Sequence, residues 1–259
     1  MRSFRCRDGG PRTPSRSTQR QSPRTYEMKD EIYRTRQPTA DFVFDEGVTA
    51  VFPDMIRRSV PGYDTVVAVS ALIAASYARP STSCYDLGCS RGATTVALAG
   101  AVADPSCRII GVDSSKPMIE EARKLVTDPR VALVQSDIRD ADIDNASAVV
   151  MNYTLQFVPR GDRRPLLDRI RAGCTPGAVL IISEKVVDTP EFERLHLDFK
   201  RANGYSELEI AQKRTALEQV MQVDAVEDHI ERLRGAGFGD ARVWFRCLNW
   251  VSIMAVAAG

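Results

Sequence analysis

Residues 85–92 read YDLGCSRG, a short apolar run that enters a glycine turn directly before a helical pattern. Glycine at positions 88 and 92 lets the chain bend sharply and approach a ligand where a Cβ atom would collide. The helix behind the turn presents free backbone N–H groups, which favour a carboxylate or another anion. This stretch therefore predicts a strand, a ligand-binding turn and a helix in immediate succession.

Outward from this turn, apolar runs alternate with segments of helical periodicity. Such alternation predicts an α/β fold in which helices cover both faces of a mostly parallel sheet. The last two runs lie close enough to pair as an antiparallel hairpin, which makes seven strands in all. The predicted strands are 83–87, 108–112, 131–135, 148–153, 178–183, 241–247 and 249–257, and the helices between them are 93–101, 116–126 and 163–171.

The regions outside this alternation divide the chain further. Two helical patterns, at about 45–58 and 64–77, precede the first strand and are separated by the turn signal Pro61-Gly62. The first 38 residues are rich in Arg, Ser and Pro, and they cannot bury enough apolar surface to offset the entropy of ordering. The predicted segments are a disordered basic extension at 1–38, an N-terminal helical flap at 39–80, and a main domain at 81–259 with a helical insert at about 189–234.

The basic extension has two interpretations. An Arg-rich, Ser-rich leader is typical of organelle transit peptides, but this one lacks an apolar face. Met28 offers an alternative translation start, which favours an upstream extension without function.

Composition disfavours several classes of protein. The 259 residues carry a formal net charge of +1; residues 1–27 hold seven Arg against two acids, a net of +5, so the remaining chain carries −4. An acidic body disfavours direct nucleic-acid binding, which needs clustered Lys and Arg. Six scattered cysteines without C-x-x-C pairs, and only two histidines, favour a reduced cytoplasmic protein without a metal site. No run of about 18 uncharged apolar residues is present, which argues against a membrane span.

Two acids narrow the identity of the ligand. Asp113 ends the second predicted strand, 25 residues beyond Gly88, where a carboxylate can accept both hydroxyls of a ribose. A nicotinamide dehydrogenase would fit this pattern equally well. Asp137-Ile138 follows the third strand and GCTPGA at 173–178 precedes the fifth, and both resemble S-adenosylmethionine enzymes. Together these features predict the Rossmann-like class I S-adenosylmethionine methyltransferase fold with an antiparallel C-terminal strand.

Several blocks are more specific than this general pattern. Over about residues 42–257 the chain resembles the carboxy-S-adenosyl-L-methionine synthases of bacterial wobble-uridine modification. The blocks are FDEGV at 44–48, VFPDMI at 51–56, RSVPGY at 58–63, NYTLQF at 152–157 and DFKRANGYSELE at 198–209. Generic methyltransferases lack the block at 198–209.

The resemblance implies an unusual reaction. Prephenate supplies carbon dioxide to the sulfonium methyl of S-adenosyl-L-methionine, which gives phenylpyruvate, water and carboxy-S-adenosyl-L-methionine. In the mechanism proposed for the family, hydroxide leaving prephenate removes a methyl proton, and the resulting ylide captures carbon dioxide. The resemblance further implies a cytoplasmic homodimer without a metal, whose product serves a separate tRNA-modifying enzyme.

The resemblance also assigns site residues. One of them departs from the family, because the serine at 114 stands where relatives carry asparagine. The implied cofactor contacts are Tyr63, Gly88, Ser90, Asp113, Ser114, Asp137, Ile138, Asn152 and Arg201.

Arg201 is the predicted catalytic residue. A helix over about 190–203 ends at Gly204, and Ser206 with Glu209 is typical of a capping box that opens the next helix. A guanidinium offers the planar, permanently charged fork that a carboxylate requires. Arg201 stands beside this corner, and the resemblance assigns it the grip on the new carboxylate. An arginine near a helix C-terminus is otherwise most often a solvated surface residue.

Several other residues have no expected role in the reaction, and two other functions are alternatives. His196 receives no catalytic role because the proposed base comes from the substrate, and Glu184 is expected to be a structural acid. Trp244 and Trp250 are expected in the core or at an interface. An ordinary methyltransferase acting on a small molecule or RNA would need its own base or a basic surface. A silent cofactor-binding partner protein would lack an intact glycine turn or Arg201.

Overall fold

A seven-stranded sheet forms the centre of the protein, in a computed structural model that describes residues 28–38, 40–218 and 220–259. The strand order is β3-β2-β1-β4-β5-β7-β6. The strands are β1 Ser83–Leu87, β2 Arg108–Asp113, β3 Val131–Gln135, β4 Ala146–Asn152, β5 Cys174–Lys185, β6 Phe238–Cys247 and β7 Trp250–Ala257. The helices are α1 Glu46–Ser59, α2 Tyr63–Tyr77, α3 Ala93–Ala101, α4 Lys116–Leu125, α5 Arg160–Gly173, α6 Pro190–Ala202, α7 Glu207–Glu218 and α8 Val226–Gly235.

The predicted fold class is confirmed. β1 pairs in parallel with β2 and β4, while β7 runs antiparallel to both β5 and β6. Successive strands are added on one side of β1 up to β3 and on its other side from β4 onward. Ligands of open α/β sheets bind at such a switch point in the strand order, here between β1 and β4. The main differences from the predicted bounds are that β5 begins four residues earlier, at Cys174, and that α5 and β6 each begin three residues earlier, at Arg160 and Phe238.

Local capping explains where the helices begin. The Ser115 hydroxyl accepts from Met118 N before α4, and the Thr189 hydroxyl accepts from Phe192 N before α6. Each helix then has proline in its first turn, where the missing N–H costs nothing. These caps place both helix starts directly after strand-end loops.

The predicted N-terminal flap divides into two parts. Helix α1 packs against α4 and α6, whereas α2 packs against α3 and the sheet strands β4 and β5. Ala71 and Ala74 of α2 are buried in the same cluster as Ile109 of the sheet. Helix α2 is apolar on nearly all sides, so it is buried as a layer of the sandwich, and only α1 covers the cavity as a flap would.

The predicted disordered extension is partly ordered. Asp30 is buried and accepts hydrogen bonds from the Tyr205 hydroxyl at 2.5 Å, and its backbone N–H donates to Asp54 at 2.7 Å. Gln212 in α7 donates to the carbonyls of Tyr33 and Thr35. Residues 28–38 are therefore held by side chains distant in sequence, which composition does not reveal. The rest of the predicted extension, 1–27, lies outside the described residues.

The predicted helical insert after β5, at about 189–234, contains α6, α7 and α8. Helix α8 packs against β6 and β7, and its Leu233 is fully buried in the main core. The insert proper is thus α6 and α7, joined at Gly204, whose φ of 83° requires glycine. The predicted capping box at Ser206 and Glu209 is present, with 2.8 Å from Ser206 N to the Glu209 carboxylate.

No single helix among the described residues is long and apolar enough to cross a membrane. Helices α1 and α2 together reach the required length and composition, but a bend of 95° separates them.

Candidate functional site

A cavity of about 270 Å³ lies at the carboxyl edge of the sheet. Its size is near the lower end of small-molecule sites, which hold about 300–1,000 Å³. The structure brings eight of the nine predicted cofactor residues to this one cavity, and their contacts with the cofactor stay predictions. They are Tyr63, Gly88, Ser90, Asp113, Ser114, Asp137, Ile138 and Asn152.

The glycine turn is held in an unusual backbone conformation. Gly88, Ser90 and Gly92 all have positive φ, at 78°, 48° and 84°. A Cβ atom on Gly88 would lie 2.2 Å from Thr154 Oγ1, closer than any real contact. Gly88 therefore meets two demands, a left-handed backbone and close approach to the chain after β4.

Asp113 is fixed by backbone donors on both sides. One carboxylate oxygen accepts from Ser90 N and the other from Ser115 N, each at 2.8 Å. Burial raises the pKa of Asp113, while these two hydrogen bonds oppose that shift. The carboxylate lies at the cavity wall, where its remaining lone pairs can accept hydroxyls.

Asp137 stands in a different electrostatic setting. Arg139 donates to it through both its backbone N–H and its guanidinium, and the same guanidinium also pairs with Asp162. The side-chain hydrogen bond from Arg139 lowers the pKa of Asp137 despite partial burial. This wall of the cavity thus carries a charge that is largely neutralised, beside the apolar side chain of Ile138.

Asn152 ends β4 with its amide fully oriented. The amide nitrogen donates to Ser70 of α2 and Thr94 of α3 at 3.1 Å each, and the oxygen accepts from Ser183 of β5 at 2.8 Å. Side chains from α2, α3 and β5 therefore orient Asn152 at the cavity. Ser70 can reach this amide because α2 packs against β4.

Aromatic side chains close the cavity on the flap side. The Phe44 ring packs edge-on against Phe42 and Phe157, with centroids 5.1 and 5.4 Å apart. Phe52 of α1 adds to this wall, and Tyr63 packs against Tyr153 at 5.9 Å. These rings give the flap side of the cavity an apolar wall.

Comparison with known proteins identifies the family. A family model described as Methyltransferase domain matches residues 85–177. The carboxy-S-adenosyl-L-methionine synthase of Trichlorobacter lovleyi is 52% identical over 226 residues, which cover 83% of this chain and 93% of that protein. The enzyme of the same name from Aeromonas hydrophila is 51% identical over 88% of this chain and 96% of its own length.

The chain belongs to the carboxy-S-adenosyl-L-methionine synthase family. The resemblance found in the sequence is thus confirmed. A solved structure, human N-acetylserotonin methyltransferase in complex with S-adenosylmethionine, superposes with a TM-score of 0.58 at 18% identity, over 83% of this chain and 56% of that one. That likeness confirms the fold alone.

Arg201, the ninth predicted cofactor contact, does not line the cavity. Its guanidinium donates to Glu207 and Asp198 on the solvent side, at 2.5 Å and 2.7 Å, and 39% of its side chain is exposed. The residue before it, Lys200, lines the cavity instead. Neighbouring positions on a helix point about 100° apart, so one faces the ligand and the other faces water.

Several cavity residues escaped the sequence analysis. Lys200 of α6, Lys213 of α7 and Lys185 at the end of β5 all line the cavity. Lys200 stands inside the block at 198–209 that carried the family resemblance, which is the signal that could have singled it out. Lys213 lies four residues beyond that block and has no such signal.

The closing strand contributes more than core packing. Trp250, expected in the core or at an interface, lies buried at the cavity wall, where its Nε1 lies 3.2 Å from Nε2 of His196. Burial lowers the pKa of His196 to about 3, so the ring is neutral. Glu184 is buried as a structural acid and accepts the backbone N–H groups of Leu155 and Gln156.

Proposed function

We propose that the protein converts S-adenosyl-L-methionine and prephenate to carboxy-S-adenosyl-L-methionine, phenylpyruvate and water. One observation carries the proposal beyond family membership. The cavity that gathers the eight predicted cofactor residues is also lined by cationic side chains, Lys200 of α6 and Lys213 of α7. Ammonium groups in the same cavity as the predicted cofactor residues suit an acidic second substrate, and prephenate carries two carboxylates.

The proposed reaction balances without a redox partner. Prephenate loses carbon dioxide and hydroxide as its ring becomes aromatic; the hydroxide takes one proton from the sulfonium methyl and leaves as water. The methyl carbon, now carrying an electron pair, bonds to the carbon of carbon dioxide. No protein base is consumed, which agrees with the weak basicity of His196, whose pKa burial lowers to about 3.

In this proposal the chain supplies position and exclusion of water. Asp113 accepts the ribose hydroxyls, Asp137 and Ile138 face the adenine, and Asn152 is oriented beside the methyl. The aromatic wall keeps water away from carbon dioxide and the carbanion, both of which water would consume. The grip of Arg201 on the new carboxylate stays a prediction, which its position outside the cavity of this chain does not favour.

The wider setting is also part of the proposal. We place the enzyme in the cytoplasm as a homodimer whose product is passed to a separate tRNA-modifying enzyme. The net charge of −4 over residues 28–259, obtained from +1 for the chain and +5 for residues 1–27, supports a protein that does not itself bind tRNA.

Mass spectrometry of released small molecules tests this function. Purified protein is incubated with S-adenosyl-L-methionine and prephenate and then denatured. We expect a species heavier than the cofactor by about 44 mass units, one carbon dioxide. Recovery of only the cofactor or its demethylated form would refute the synthase reaction and favour an ordinary methyltransferase acting on a small molecule or RNA.

A further inference from the structure

Two lysines on different helices line the cavity, the buried Lys213 and the half-buried Lys200. Lys213 of α7 is 6% exposed, and its Nζ lies 3.0 Å from Ser59 Oγ and 3.6 Å from the Asp30 carboxylate. Lys200 of α6 lines the same cavity. Two ammonium groups from different helices thus line one cavity, whose wall also carries apolar side chains such as Met55 and Leu217.

The cations of the cavity wall differ in their counterions. Lys185 pairs with Glu193 at 3.2 Å, and Arg139 pairs with Asp137 and Asp162 at 2.7 Å. Within the described parts of the chain, Lys200 has no carboxylate within 4.0 Å and no hydrogen-bond acceptor. Its ammonium group is therefore a lining cation without a direct ion-pair partner, although Glu193 lies near enough to favour its charge.

A partly desolvated ammonium group without an ion-pair partner is costly unless a ligand supplies the opposite charge. Burial, reinforced by Lys185, lowers the pKa of Lys200 to about 8. Burial and Lys200 lower the pKa of Lys213 to about 7, while Asp30 opposes that shift. A bound anion would relieve both the desolvation and the repulsion between the two lysines.

We propose that Lys200 and Lys213 form the carboxylate-binding end of the cavity and hold the organic dicarboxylate that donates carbon dioxide. The inference rests on the proposed function and names the residues that select its acid substrate. Met55, Leu217, Met221 and Trp250 line the same cavity and supply apolar surface for a six-membered carbocycle. Two cations beside an apolar wall match a ring that bears two carboxylates.

Binding without turnover tests the inference directly. Protein saturated with S-adenosylhomocysteine, which has no reactive methyl, is titrated with prephenate in a calorimeter. The variants are Lys200→Met, Lys213→Met and, as a matched control that removes a charge from an exposed position of α6, Arg194→Met. We expect each lysine variant to weaken prephenate binding at least about tenfold, as loss of a charged hydrogen bond does. Arg194→Met and the affinity for S-adenosylhomocysteine should change by less than about threefold.

The outcomes separate this inference from the proposed function. Prephenate affinity of Lys200→Met within about twofold of wild type, or no binding by wild type, would overturn the lysine assignment even if the carboxylated product forms. Lysine-dependent binding without any carboxylated product would leave the assignment standing and refute the reaction. If Lys213→Met fails to fold, Lys200→Met and Lys200→Arg still decide the matter, because Arg retains the charge and should recover part of the affinity.

Discussion

In the proposed arrangement the cavity has a cofactor end, which includes Asp113 and Asp137, and an acid end, formed by Lys200 and Lys213. The two ends are built in opposite ways. At the cofactor end, Asp113 ends β2 and Asp137 follows β3, and each accepts a backbone N–H two residues further along the chain. At the acid end, Lys213 is held by Ser59 and Asp30, which lie 154 and 183 residues away. The first end is thus fixed by short loops on a rigid sheet, and the second by the packing of α1, α6 and α7.

The two ends also differ in charge. Acceptors at the cofactor end suit ribose hydroxyls and a sulfonium cation, whereas ammonium groups at the other end suit a carboxylate. A cavity divided in this way can bring a cation and an anion together while excluding the reverse arrangement. Substitutions at each end should therefore impair different ligands.

Asp113→Ala should have the largest effect. It removes the acceptor of two predicted ribose hydrogen bonds, and hydrogen bonds to a charged group contribute about 1.5–3 kcal/mol each. We expect affinity for S-adenosylhomocysteine to fall about 100-fold or more by calorimetry, with Asp142→Ala, an exposed loop acid, as the control. An affinity within about fivefold of wild type would show that Asp113 does not bind the ribose.

Gly88→Ala should act through stability. A left-handed alanine costs about 1–2 kcal/mol, and the clash with Thr154 adds to it, so we expect about 2–4 kcal/mol less free energy of unfolding in urea. Gly100→Ala, in helix α3 with open space around it, is the opposite control and should stabilise by about 0.5–1 kcal/mol.

A double variant divides the two causes at Gly88. Adding Thr154→Ala removes the side chain that the new methyl would strike, so part of the lost stability should return. No recovery would assign the whole loss to the backbone conformation and would remove the argument for close approach at this turn.

Arg201→Ala should have the smallest effect. Because the guanidinium lies on the solvent side and pairs with Asp198 and Glu207, we expect kcat and KM for prephenate to change by less than about threefold. Lys200→Met, one residue earlier, provides the contrast. Loss of the carboxylated product in Arg201→Ala would restore the role that the family resemblance implies and would require this corner to move toward a ligand.

The sheet and the residues of the cofactor end could both be predicted from the sequence, because both depend on patterns within a few neighbouring residues. Strands β1 and β3 match their predicted bounds, because each is a short apolar run limited by turn residues. The turn between α6 and α7 was also predicted, since Gly204 and the Ser206–Glu209 pair are local signals. Helix α2 was misplaced in the flap because its apolar pattern predicts burial but does not say against what.

The sequence by itself determined the fold, the glycine turn and the acids that follow the strands, because period, capping and backbone conformation act over a few residues. Only the tertiary structure decided that Lys200 rather than Arg201 faces the cavity, that Lys213 joins it from another helix, and that residues 28–38 are ordered against α7. These outcomes depend on the rotation and packing of whole helices, and contacts between residues more than 100 positions apart leave no local pattern.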